Sequence, residues 1–184
     1  DQNMTIRKEA KIDSLTQACN DEGYANAEVV PLTNVHEQEQ LVDVTYRMTK
    51  NQLVYFNRIN ILGNDRTRDK VIRRQLSIVE GDLYNKTNLK KSYNDITRLR
   101  YFEEVDFQTQ KGPDDSLTDV NIRVKEKPTG MFSVGAGYSA VDSAVFTAQI
   151  SQQNLFGRGQ SLSLKASLGA KVTNFDLSFI EPWL

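Results

Sequence analysis

The residue types that could carry out chemistry in this chain do not form a catalytic or metal-binding pattern. Cys19 is the single cysteine and His36 the single histidine. His36 stands in the polar stretch TNVHEQEQ without a cysteine or carboxylate at metal-ligand spacing, so no metal site is expected. Cys19 falls on the apolar side of a helical pattern, which predicts a buried thiol. Ser139 lies in GYSAV, which lacks the second glycine of a nucleophile elbow. We therefore expect no catalytic residues and no enzymatic activity.

Two further motifs are better explained by structure than by ligand binding. GAGYSA, residues 135–140, fits the loose dinucleotide pattern G-x-G-x-x-A. That fingerprint requires a strand, a loop and a helix, and an acidic residue about 20 positions later, whereas this stretch lies inside a two-residue alternation. No nucleotide or other cofactor is therefore expected. Asn85-Lys86-Thr87 matches a glycosylation acceptor, but its place before a helical stripe predicts a helix N-cap.

Composition excludes some functional classes. The chain has a formal net charge of −1, with 26% charged and 39% hydrophobic residues. It therefore lacks the clustered basic surplus typical of nucleic-acid-binding proteins. No apolar run approaches the roughly 20 residues of a transmembrane helix. Strands of a membrane barrel leave only alternating segments of about 10 residues, so a membrane location stays open.

The middle part, residues 52–127, predicts the element order β-α-α-β-β. LVYFNRINI has the composition of a strand and ends at the turn beginning with Gly63. TRDKVIRRQL predicts a helix with Thr67 as its N-cap, and a second amphipathic helix starts near Asn85. FEEVDFQTQ and LTDVNIRVKE then predict two strands separated by the turn KGPDDS.

Residues 1–51 repeat the second half of that pattern. A helix with Ile12, Leu15 and Cys19 on one side precedes DEGYANAEVV and LVDVTYRM, which align with RLRYFEEVDF and LTDVNIRV. The alignment matches Tyr24 to Phe102, Ala27 to Val105 and Val29 to Phe107. This segment is therefore expected to be half a domain.

After KEKPTG the helical spacing disappears and four alternating strands follow. Alternation alone leaves a soluble sandwich and a membrane barrel open. The apolar positions carry no charge, which favours a lipid-facing band, where a Lys or Arg near the midplane costs about 2–4 kcal/mol. Leu155, Phe156 and Trp183 fall near strand ends, as in an interfacial aromatic girdle. The positions expected to face lipid are Phe146, Ile150, Leu162, Leu164, Leu168, Phe175, Leu177 and Phe179.

Together these segments resemble a known family. The β-α-α-β-β unit, with ILGN ending its first strand and LRYFEEVDF leading into its second, resembles a POTRA domain. Tandem units running through VKEKPTG into FSVGAGYS, QQNLFGRGQSLSL and FDLSFIEPWL resemble the BamA family of outer-membrane protein assembly factors. The resemblance implies an α+β fold, in which POTRA domains with a three-stranded sheet and two helices precede antiparallel strands of a truncated transmembrane β-barrel. The implied domains are a partial, penultimate POTRA (1–51), a complete membrane-proximal POTRA (52–127) and the first four barrel strands (128–184).

The resemblance also implies a function. The family folds β-barrel proteins and inserts them into the outer membrane of Gram-negative bacteria, with POTRA domains in the periplasm and without enzymatic chemistry. The implied partners are unfolded outer-membrane protein clients, periplasmic lipoproteins of the assembly complex and outer-membrane lipid, but neither nucleic acid nor nucleotide. Two alternatives stay open: a two-partner-secretion transporter that exports an adhesin or toxin, and a soluble POTRA-type interaction module.

Three sets of site residues follow from the resemblance. The second strand of the POTRA unit is the expected edge for capture of client strands by β-augmentation. The first barrel strand is the expected N-terminal side of the barrel's lateral seam, and a third set, chosen by position only, consists of candidates for lipoprotein docking. The client edge comprises Val105, Asp106, Phe107, Gln108 and Thr109. The seam strand comprises Phe132, Val134, Gly135, Ala136, Gly137 and Tyr138. The docking candidates are Asn64, Arg66, Arg73 and Arg74.

Overall fold

A computed structural model describes residues 2–36, 41–139 and 143–183. Ala140, the last residue of the GAGYSA motif, and residues 37–40 of the polar stretch around His36 lie outside the described residues. The chain forms two compact units. The first contains Asp1–Asn60, Leu76–Asn94 and Phe107–Ile122, and the second contains Ile61–Gln75, Asp95–Asp106 and Arg123–Leu184.

The N-terminal segment has the order helix, strand, strand. Helix α1 (Gln2–Asp21) is followed by β1 (Glu28–His36) and β2 (Leu41–Thr49), which pair antiparallel. The first strand begins at Glu28, four residues after Tyr24. The reason is a turn that ends α1, in which the Tyr24 N–H donates to the Cys19 carbonyl and Gly23 adopts a φ of +97°. Cys19 is buried as expected, with its Sγ 4.0 Å from the Met48 Sδ.

The middle segment has the predicted order β-α-α-β-β. Its elements are β3 (Tyr55–Leu62), α2 (Asp69–Arg73), α3 (Lys86–Arg98), β4 (Phe102–Lys111) and β5 (Leu117–Glu126). The strand order is β3-β5-β4, so β5 is central and β4 lies at an edge. Alternate residues of β5 supply much of the core together with Phe56 and Ile59 of β3, and full burial of one Val, Ile or Phe side chain contributes about 1.5–3 kcal/mol. The buried apolar residues of this segment include Val54, Phe56, Ile59, Val71, Ile72, Ile96, Val120, Ile122 and Val124.

Of the two N-cap residues predicted from the sequence, the structure confirms one and contradicts the other. Asn85 is the N-cap of α3, since the Asn88 N–H donates to its Oδ1 at 2.7 Å, and this confirms the structural explanation of the Asn-Lys-Thr motif. The prediction for Thr67 was wrong. Helix α2 has only five residues, its N-cap is Arg68, and no side chain caps it. Thr67 is buried and bonded elsewhere, as described below.

The C-terminal segment is a four-stranded antiparallel meander. It comprises β6 (Gly130–Ser139), β7 (Ser143–Leu155), β8 (Gln160–Gly169) and β9 (Thr173–Ile180), paired in chain order. In the described part of the chain, no helix is long and apolar enough to cross a membrane.

Candidate functional site

One face of the four-stranded sheet is apolar from edge to edge. Phe132, Ile150, Leu164 and Leu177 lie opposite one another across the four strands, with exposed fractions of 70%, 57%, 43% and 73%. Residues directly opposite in an antiparallel ladder project from the same face. All eight residues expected to face lipid share this face and are 36–73% exposed. We call these eight residues, with Phe132 and Val134, the apolar face.

The opposite face is polar. Its central row contains Ser133, Gln149, Lys165 and Asp176, so the charges on β8 and β9 are placed opposite each other. The row beside it contains Gly135, Thr147, Ser167 and Asn174. A continuous apolar surface of this breadth is rare on a protein surrounded by water and marks an interaction site. The sheet therefore requires an apolar partner on one side only.

Strand β6 forms an exposed edge of this sheet. Among the described strands its only neighbour is β7. Phe132, Val134 and Tyr138 extend from the apolar side and are 70–84% exposed. Gly137 has no atom within 4 Å of the place where a Cβ would lie. An exposed edge strand offers unpaired backbone groups to another strand, and the small residues here add little packing that would oppose such pairing.

Strand β4 is one of the two edges of the POTRA-like sheet, with β5 as its only neighbour among the described strands. Val105 and Phe107 are half-buried, and the Phe107 ring packs edge-on against Tyr93 at 5.8 Å. Asp106, Gln108 and Thr109 are exposed. The Phe107 ring is thus directed at α3, and the side chains that this edge leaves exposed over residues 105–109 are polar. A cleft of about 640 Å³ in the first unit adjoins this edge, lined by Asn26, Asn51, Thr109 and Gln110 among others.

The docking candidates do not have a common environment. Arg73 is exposed and pairs with Asp69 at 3.0 Å. Asn64 donates through Nδ2 to the Thr67 carbonyl at 2.9 Å. The guanidinium of Arg74 lies over the Trp183 ring, 5.1 Å from its centroid. Arg66 is exposed, and its backbone N–H donates to Glu126 Oε2 at 2.9 Å. Their role in lipoprotein docking stays a prediction.

A polar cluster in the second unit, which the sequence did not predict, consists of Thr67, Glu126 and Asn154, and we call it the polar latch. The Thr67 N–H donates to Glu126 Oε1 at 2.6 Å, and Asn154 Nδ2 donates to Thr67 Oγ1 at 2.7 Å. Asn154 Oδ1 accepts from the Gly159 N–H at 2.9 Å. Thr67 and Asn154 are only 2% and 9% exposed. The latch therefore joins the segment before α2 to the turn between β7 and β8.

That turn, residues 156–159, fits closely against the latch. Gly157 has a φ of +69°, and a Cβ there would collide with the Arg66 carbonyl oxygen. The Arg68 N–H donates to the Gly157 carbonyl at 3.0 Å. Tyr101, whose pKa burial raises, donates its hydroxyl to the Gly159 carbonyl at 3.3 Å. In the sequence, the two glycines of NLFGRGQ are the feature that could have indicated this close contact. A backbone that approaches another backbone this closely needs a residue without a side chain.

Comparison with known proteins agrees with this architecture. The POTRA family model, described as "Surface antigen variable number repeat", matches residues 54–127. The outer membrane protein assembly factor BamA of Nitratidesulfovibrio vulgaris is 37% identical over 162 residues, which cover 88% of this chain and 20% of the relative. The crystal structure of BamA from Haemophilus ducreyi lacking POTRA domains 1–3 superposes with a TM-score of 0.90 at 26% identity, over 97% of this chain and 34% of that one.

A likeness to CdiB from Escherichia coli, with a TM-score of 0.56 at 15% identity over 91% of this chain and 31% of that one, shows the fold alone. The chain spans about a fifth of the length of the curated relatives it matches. The POTRA-like unit and the four strands after it therefore correspond to only a small part of each relative.

Proposed function

The chain belongs to the BamA family of outer-membrane protein assembly factors, and from this membership we propose that it takes part in folding β-barrel proteins and inserting them into the bacterial outer membrane. Its POTRA domains lie in the periplasm and its four-stranded sheet in the membrane. The observation that carries the proposal is the uncharged apolar face, which runs across four strands and ends in the open edge β6.

The mechanism rests on backbone hydrogen bonding in lipid. Hydrocarbon offers no partner for an N–H or C=O group, so an edge strand in the membrane must pair with another strand. Edge β6 can pair with the incoming strand of a client, because main-chain bonding is tolerant of sequence. Gly135, Ala136 and Gly137 keep the side chains in the middle of this strand small, so exchange of its partner disrupts little packing there. Insertion of the client requires no catalytic residues, nucleotide or cofactor, because the free energy of client folding drives it.

Partner binding before insertion is assigned to the POTRA unit. Edge β4 captures extended segments of unfolded outer-membrane protein clients through its backbone, since Phe107 packs on Tyr93 of α3 and Val105 is half-buried. Periplasmic lipoproteins of the assembly complex dock on α2, where the side chain of Arg73 is exposed. Outer-membrane lipid covers the apolar face.

Neither alternative has an observation in its favour. The likeness to CdiB supports the fold but no transport of an adhesin or toxin. A soluble interaction module would leave the apolar face in water, at exposed fractions of up to 73% for large side chains such as Leu177.

The test uses the natural protein that carries this sequence, reconstituted in lipid vesicles, with a urea-denatured β-barrel protein as client. Client folding is followed by the electrophoretic shift of the heat-resistant folded form. Leu164→Lys with Leu177→Lys places two charges on the apolar face, each at a cost of about 2–4 kcal/mol near the midplane. Ser163→Lys with Ser178→Lys places the same charges on the polar face, in the neighbouring row.

We expect the wild type and the polar-face variant to accelerate client folding over protein-free vesicles. The apolar-face variant should neither insert nor accelerate folding. Equal insertion by the two variants would refute the lipid-facing assignment, and a wild type that inserts without accelerating client folding would refute the assembly function.

A further inference from the structure

A basic cavity of about 320 Å³ lies where β8 begins and β9 ends. Arg68, Lys70, Arg74 and Arg158 line it, together with the carboxylate of Glu181 and the indole of Trp183. Four cationic side chains thus surround one anionic group. All of these residues belong to the second unit.

The cavity lies at the boundary of the apolar face. Leu162 and Phe179 form the last apolar row of β8 and β9. Gln160 lies on the same face of β8 two residues before Leu162, about 7 Å away, and Glu181 directly follows the last residue of β9. Gln160 Nε2 donates to Glu181 Oε2 at 2.6 Å. The face therefore changes from wholly apolar to ionised within one row, as a surface does where hydrocarbon gives way to lipid headgroups. Trp183, which follows β9 and lines the same cavity, is a residue type typical of that depth.

Several cationic groups that line the cavity have N–H donors without a hydrogen-bond acceptor in the described part of the chain. Arg74 Nε is buried and has no hydrogen-bond partner among the described residues. Its guanidinium is held over the Trp183 ring and packs onto Gly159, so its direction is fixed. The exposed side chains of Lys70 and Arg158 form no hydrogen bond or ion pair with the described part of the chain.

Glu181 cannot neutralise this set. Its oxygens already accept from Gln160 and from the Trp183 N–H at 3.2 Å. The bond from Gln160, the Trp183 N–H and then the charges of Arg74 and Arg158 lower the pKa of this carboxyl, so it contributes one negative charge at neutral pH. Three positive charges remain uncompensated among the lining groups.

We propose that the basic cavity binds the phosphate of an anionic phospholipid whose acyl chains lie along the apolar face. Guanidinium groups bind phosphate oxygens through paired N–H donors, and Arg68, Arg74 and Arg158 place three such groups in the lining of this cavity. The inference rests on the proposed function, since it requires the apolar face to be in lipid. It adds a lipid-binding site that joins α2 of the POTRA unit to the membrane surface.

The test uses the natural protein in vesicles of phosphatidylcholine containing a minority of phosphatidylglycerol. Native mass spectrometry of the released protein counts the retained lipids, and titration with phosphatidylglycerol gives the affinity. The variants are Arg74→Gln with Arg158→Gln, and Lys70→Gln with Arg158→Gln. The second pair leaves Arg74 packed on Trp183 and so preserves the local fold. Arg98→Gln with Arg123→Gln is the matched control, because both side chains are exposed in the same unit and outside the cavity.

Removal of one surface cation weakens binding to an anionic lipid surface about fivefold. Each of the two double variants in the cavity should therefore bind phosphatidylglycerol about 25-fold more weakly than the wild type. The control should lose none. Equal affinity in the cavity pairs and the control overturns the proposal. Displacement of the lipid by inorganic phosphate, at constant ionic strength, overturns it in favour of a free-anion site.

Extraction by alkaline urea separates this failure from failure of the proposed function. A wild type that is extracted from vesicles refutes the membrane location and the lipid site together. A wild type that resists extraction, with equal lipid retention in all variants, refutes the lipid site alone.

Discussion

Replacement of Asn154 by alanine should open the contact between the segment before α2 and the β7–β8 turn. The substitution removes the donor to Thr67 Oγ1 and the acceptor for the Gly159 N–H. Leaving a buried group unpaired costs about 1–3 kcal/mol. Asn154 also has a φ of +52°, where alanine costs roughly 1 kcal/mol more than asparagine. Together these terms make about 3 kcal/mol, or about a 100-fold increase in local opening.

Hydrogen exchange of the natural protein in vesicles measures this opening. The reporters are the amides of Thr67 and Arg68, which donate to Glu126 Oε1 and to the Gly157 carbonyl. Gln153→Ala is the matched control, because the neighbouring side chain is exposed and the change leaves the latch intact. Asn154→Gly keeps the positive φ free of strain, and should exchange about fivefold more slowly at these amides than Asn154→Ala.

The reasoning is refuted if Asn154→Ala accelerates exchange at these two amides no more than Gln153→Ala does. If Asn154→Gly is as protected as the wild type, the hydrogen bonds contribute nothing and the cost lies in the backbone alone.

Three further predictions concern other parts of the chain. Gly157→Ala should strongly lower the melting temperature measured by calorimetry, because a Cβ there meets a backbone carbonyl and φ is +69°. Gly137→Ala is the control and should leave the melting temperature unchanged, because a Cβ there meets no atom within 4 Å. Asp21→Asn should cost about 1 kcal/mol of unfolding free energy in a urea titration, since its carboxylate accepts from the Thr87 N–H at 2.8 Å and the Thr87 hydroxyl at 2.7 Å at the start of α3. A photo-crosslinker at Gln108 on edge β4 should capture unfolded client, whereas one on central strand β5 should not, and equal capture would contradict backbone pairing at the edge.

Features encoded in short periods could be predicted from the sequence. Alternation placed the apolar residues of β6–β9 on one face, because successive side chains of a strand point to opposite sides whatever the partner is. The Asn85 cap and the order β-α-α-β-β were also predicted correctly, since each depends on neighbours within a few residues. The helix and the strand pair of the N-terminal segment could also be predicted, because each of these elements has a local pattern that repeats one in the middle segment.

Features that join distant residues were decided only by the tertiary structure. Thr67 has the residue type and position of an N-cap, but its hydroxyl accepts from Asn154, 87 positions along the chain, and α2 starts two residues later. Adjacent arginines looked equivalent, yet Arg73 is paired on the surface whereas Arg74 is directed at Trp183. A local pattern records which face a side chain occupies. Which distant group satisfies a buried donor or charge depends on how the chain folds back, and the polar latch and the basic cavity exist only in that arrangement.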